Sequence, residues 1–129
     1  GEVRVFVTDS DAGQRYRNAS KVAIGDVSDG SHVGGAAIGA FCAIAIVAAA
    51  SDGRERHFAT TRAAVLAQWA DGLREAKVGR VIAVGRLEDL PNPNPLAAAA
   101  PQYGFVEIAG KDGAIIAAEV ADLEAAANI

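Results

Sequence analysis

Two groups of side chains have the types and spacing that chemistry requires. Asp9 and Asp11 follow one predicted strand, and Asp26 and Asp29 follow the next. Strands that end together would bring these carboxylates to one end of a sheet, where a hard cation such as calcium or magnesium takes oxygen ligands. The run Asp9-Ser10-Asp11-Ala12-Gly13 lacks the remaining positions of a twelve-residue calcium loop. Aspartate is also an ordinary turn residue, because its carboxylate bonds nearby backbone, so turn formation is the plainer account. The second group is Asp52, Glu55 and His57. Alternate side chains of a strand share a face, so Glu55 and His57 would form a carboxylate–imidazole pair suited to proton transfer. A solvated hairpin edge of mixed charge accounts for the same residues without catalysis.

The other reactive residue types are isolated. His32 lies in a Gly/Ser/Asp loop and reads as a surface residue. With 2 histidines so differently placed, a zinc site would lack a further good ligand. Cys42 is the 1 cysteine, which excludes an internal disulfide and a paired-thiolate metal site. Its neighbours Phe41, Ala43 and Ile44 mark a buried thiol, whose pKa burial raises. Gly34-Gly35-Ala36-Ala37-Ile38-Gly39 lacks the spacing of a dinucleotide fingerprint. Nucleophile elbow, P-loop and zinc-protease helix are missing, and no cofactor is expected. Asn18-Ala19-Ser20 has the pattern of a glycosylation acceptor, but no signal segment is expected at the start of the chain.

The elements that would position these residues come from periodicity. Residues 2–8 alternate as a half-buried strand, and 21–27 read as a second, with Asp29-Gly30-Ser31 as the turn after it. Residues 33–50 form an 18-residue stretch without charge, a weak transmembrane candidate with Gly35 and Gly39 at small-xxx-small spacing. Alanine and glycine dominate it and drive insertion poorly, while 41–47 alternates β-branched residues with alanine like a strand buried on both faces. Asp52-Gly53 reads as a hairpin turn, with 54–59 as the returning strand. Thr60 or Thr61 caps an amphipathic helix over about 62–78, whose stripe is Val65, Leu66, Trp69, Leu73 and Ala76. Trp69 belongs to this stripe and is expected in the core. Gly72 interrupts the helix at about 1 kcal/mol relative to alanine. Gly79 reads as its stop. Residues 80–84 form a strand, 91–95 a proline-stiffened loop, and 103–109 with 114–118 a second hairpin about Lys111-Asp112-Gly113. A short C-terminal helix is predicted over 120–127.

The expected fold is therefore α+β: a single domain over 1–129, mostly antiparallel sheet, with the 62–78 helix packed on it. The chain is 51% hydrophobic and 22% charged, a globular balance. Only 5% is aromatic and methionine is absent, so a small-residue core must bring its elements close together. Net charge is −4 and there is no basic run, so no nucleic-acid partner is expected. No membrane partner is expected either.

The runs Asp29-Gly30-Ser31, Ala36-Ala37-Ile38-Gly39, residues 44–47 and Ser51-Asp52-Gly53 loosely resemble bacteriophage capsid-decoration proteins. The resemblance implies a virion subunit and transfers no functional residue. The leading expectation is a structural or assembly subunit of a homo-oligomeric particle, with itself and other protein subunits as partners. Two alternatives stand beside it: a small oligomeric enzyme using interface carboxylates or His57, and a dimeric ligand-binding or regulatory module.

Overall fold

A lysine or arginine opens several of the strands, each followed by apolar residues that seek burial on one face or on both. The computed structural model describes residues 4–7, 21–24, 26–51 and 59–129. In order, the described elements are β1 (Arg4–Val7), β2 (Lys21–Ile24), α1 (Gly30–Ala37), β3 (Cys42–Ile46), α2 (Arg62–Glu75), β4 (Arg80–Gly85), β5 (Gln102–Glu107) and α3 (Gly113–Ala125). Strands β3, β4 and β5 make a sheet in that order, and β1 pairs with β2. Every pairing among the described strands is parallel.

The antiparallel expectation is thus overturned, and one local misreading contributes to it. The Lys111-Asp112-Gly113 run is a helix start. Asp112 caps α3 by accepting the Ile115 N–H at 2.9 Å, and residues 114–118 continue as helix where a strand was predicted. Asp-Gly suits both a hairpin and a capped helix, and the alanine-rich run behind it favours helix. The α2 helix lies between β3 and β4 in sequence, the kind of long connection that parallel neighbours need. The hairpin expected at Asp52-Gly53, with its 54–59 strand, lies outside the described residues.

Central strand β4 explains the parallel arrangement best. All of it is buried, with Val81 and Ala83 in the larger core cluster and Ile82 and Val84 in the smaller one. A run of apolar residues without polar alternation is what a parallel strand covered on both faces requires. The larger cluster holds Val65, Leu66, Trp69, Ala70 and Leu73 of α2. On the other face Ile116, Val120 and Leu123 of α3 pack against Ile82, Val84 and Val106. Trp69 is buried, and its indole N–H donates to the Val27 carbonyl at 2.6 Å.

The 33–50 stretch divides. It supplies most of α1, a turn, all of β3 and most of a 3-10 turn over Val47–Ser51. Among the described residues no helix is long and apolar enough to cross a membrane. Asp29-Gly30-Ser31 opens α1, with Asp29 capping it. The expectation that 41–47 is buried on both faces also fails. Ala45 is buried, but Ile44 is 46% and Ile46 50% exposed, and β3 lies at the edge of its sheet among the described strands.

Glycines let α1 and α2 touch backbone to backbone. A Cβ at Gly72 would lie 2.1 Å from the Gly30 carbonyl oxygen, and one at Gly34 would lie 2.6 Å from the Gly72 oxygen. The interruption of the α2 stripe is therefore a packing requirement. The close approach uses Gly30 and Gly34 with Gly72, one residue-step from the Gly35 spacing that the sequence suggests. Helix α2 ends at Glu75, with Lys77 taking the left-handed φ of 59°. Gly79 instead makes room for Phe41, whose ring would lie 2.4 Å from a Cβ there.

Candidate functional site

Of the residues singled out by type and spacing, Asp9, Asp11, Asp52, Glu55 and His57 lie outside the described residues. Asp26 and Asp29 share one turn, in which the Asp29 N–H donates to the Asp26 carbonyl at 3.1 Å. Asp26 is buried and accepts both the N–H and the hydroxyl of Ser28, at 2.8 and 2.7 Å. Asp29 accepts the Ser31 N–H at 2.9 Å, and its second oxygen lies 3.5 Å from Nε2 of His32. Both carboxylates thus act on their own turn and helix end. Among the described residues, no group of three or more His, Cys, Asp or Glu side chains is placed to hold a metal ion.

A parallel sheet sends all its strand ends the same way, and its carboxyl edge gathers the connecting loops. Here that edge gathers Ser51 after β3, the Leu87–Asp89 turn after β4, and Glu107 at the end of β5. Arg62, in the first turn of α2, reaches across it. Its Nε donates to the Ser51 hydroxyl at 2.8 Å, and its guanidinium lies 3.3 Å from the Asp89 carboxylate. Glu107 accepts the Leu87 N–H at 3.1 Å on one oxygen, and those of Ile108 and Ala109 at 2.9 and 3.2 Å on the other. These backbone donors hold its carboxyl below the usual carboxylate range, with the nearby Arg86 charge adding to the effect. An ionised carboxylate bonded in this way clamps two strand ends together and is poorly placed to shuttle protons.

The amino edge is organised by Arg80, which is only 2% exposed. Its guanidinium donates to the Leu123 and Glu124 carbonyls at 3.0 and 2.9 Å, to the Ala127 carbonyl at 3.3 Å, and to the Gln102 side chain. The Phe41 ring lies beneath it, 5.3 Å from the centroid. Arg4 does the same for α1, donating to the Ala36 and Ile38 carbonyls. Both arginines meet a helix C-terminus, where the backbone dipole favours cations. Cys42 is half-buried beside this edge. Burial pushes its thiol pKa up, the Glu124 charge adds to the rise, and Arg80 opposes it.

The remaining feature is apolar. Ile38, Phe41, Ile44 and Ile46 are between 46 and 64% exposed, and they run along β3 and the turn that leads into it. Ile44 and Ile46 share a face with Ile82 and Val84 through the β3–β4 register. Helix α3 covers that face over β4 and β5, and β3 pairs with β4 alone among the described strands. Sequence reasoning missed the strip because an alternating apolar strand beside alanine reads as core. It missed Arg80 and Arg62 because each stands alone at an element boundary.

No family model, no curated protein and no solved structure matches the chain. The resemblance to capsid-decoration proteins is therefore carried no further.

Proposed function

We propose that this chain is an assembly subunit that associates with further copies of itself through the β3 edge. The observation that carries the reading is the pair of half-exposed Ile44 and Ile46 on β3, an edge strand among the described strands, with Phe41 and Ile38 also exposed in the turn that leads into it. Edge strands of soluble proteins are ordinarily blunted by charge, proline or a covering element, and β3 (CAIAI) contains neither charge nor proline. Apolar residues clustered at such an edge fit a self-complementary contact, in which one patch meets its own copy about a two-fold axis. The test is absolute mass by light scattering, for the parent chain and for the double substitution Ile44→Thr with Ile46→Thr. The parent is expected as a dimer or larger species at about 100 µM, and the variant as a monomer with unchanged far-UV dichroism. A monomeric parent at that concentration would overturn the reading.

A second reading, a ligand-binding module, is favoured by the convergence of Ser51, Arg62 and Asp89 at the sheet's carboxyl edge. It predicts that a small anionic ligand raises the melting temperature of the parent but not of Arg62→Ala. A panel of carboxylates and phosphates with no such difference would remove it.

A further inference from the structure

We infer that α3 is a displaceable cover, hinged at its start and latched at its end by Arg80, which can lift off the sheet while the main core stays folded. The contrast with α2 motivates this. Helix α2 buries Val65, Leu66, Trp69, Ala70, Gly72 and Leu73, whereas no residue of α3 is buried. Its grip on the sheet consists of Ile116, Val120 and Leu123, each only partly buried, and the larger core cluster contains no residue of α3. That core is complete without it.

The two ends of α3 suit such a motion. Gly110 has a left-handed φ of 72°, and neither it nor Gly113 has any neighbouring atom within 4 Å of a Cβ position. Open space therefore flanks the backbone between β5 and α3 at both glycines. At the other end the hold is polar, through the three carbonyls that Arg80 bonds. When α3 leaves, Arg80 keeps the Gln102 side chain at 2.9 Å from its Nε and keeps the Phe41 ring. Departure therefore does not strand a bare cation, which would be prohibitive in an apolar interior. What it uncovers is Ile82, Val84 and Val106, in line with the already exposed Ile44 and Ile46. The face of the three-stranded sheet opposite α2 becomes one apolar surface. The inference stands on packing within one chain and does not depend on self-association.

Native-state hydrogen exchange on the whole chain tests it, with amides of α3, α2 and β4 followed across low denaturant concentrations. The α3 amides are expected to exchange as a group about 100-fold faster than those of β4, with a weaker denaturant dependence. Arg80→Lys, which keeps the charge but loses the planar fork, should speed α3 exchange by a further tenfold or so and leave α2 unchanged. If α3, α2 and β4 exchange through one opening with the same denaturant dependence in the parent chain, the cover does not exist. That comparison needs no variant, so it decides the matter even if Arg80→Lys fails to fold.

Discussion

Replacing Gly72 with alanine sets two physical effects against each other and lets their sum report on the fold. In an isolated or loosely packed helix, Gly→Ala stabilises by about 1 kcal/mol, since alanine loses less backbone entropy. In this structure the new methyl would lie 2.1 Å from the Gly30 carbonyl oxygen and 3.0 Å from the Gly34 nitrogen. Both obstacles are backbone, so no side chain can rotate away, and α1 must move off α2. Overpacking of this kind costs about 1–3 kcal/mol, and a contact so far inside van der Waals range belongs at the upper end. The net expectation is a loss of about 2 kcal/mol. For a chain of this size that lowers the melting temperature by about 8 °C. Gly35→Ala is the matched control, because a Cβ there meets nothing within 4 Å on an exposed face of α1. It should gain about 0.5–1 kcal/mol. Thermal unfolding followed by far-UV dichroism reads both variants. If Gly72→Ala is neutral or stabilising while Gly35→Ala stabilises, the two helices do not touch backbone to backbone, and the packing described above is wrong.

Further outcomes follow from the strand ends. Glu107 has its folded-state pKa lowered, chiefly by backbone N–H donors, so its contribution is present above the unfolded carboxylate value and is lost as pH falls through the folded one. Urea unfolding from pH 6 down to about pH 3 should therefore show a shallower acid loss for Glu107→Gln than for the parent; equal slopes would count against the clamp. Cys42 should react with a neutral thiol reagent at pH 8 more slowly in the folded chain than in denaturant, since its pKa is raised by burial first and by Glu124 second. Equal rates would mean that the thiol is not shielded.

Much of the element inventory was legible in the sequence, and its arrangement was not. The α2 stripe of Val65, Leu66, Trp69 and Leu73 is plain because a helix period over many residues has few competing explanations. The strand 80–84 is equally plain as an apolar run, but its burial on both faces, the mark of parallel pairing, is visible only in the structure. The Asp-Gly at 112–113 misleads because one short motif serves two opposite structures. Gly30 and Gly34 could not be matched to Gly72 from sequence, since only the crossing of the helices brings them together. Of the candidate site, the sequence supplied Asp26 and Asp29, whose carboxylates serve their own turn. Arg62, Arg80 and Glu107 carry no motif, because each meets partners far along the chain: the Ser51 and Asp89 side chains, the Leu123 and Glu124 carbonyls, and the Leu87 N–H respectively.

The contact between Arg80 and α3 has a consequence for how that helix can be controlled. Every hydrogen-bond acceptor that Arg80 meets is an amide oxygen, from the backbone or from Gln102, and none is a carboxylate. Amide oxygens do not titrate in the physiological range. Acidification therefore has no partner to neutralise. Added salt has little purchase either, because the site is closed to ions that would screen it. An attachment of this type is indifferent to the two commonest chemical signals in a cell. Only once α3 has lifted is Arg80 open to an acceptor stronger than an amide, a carboxylate or phosphate of another molecule, that would hold it in place of the last turn of α3.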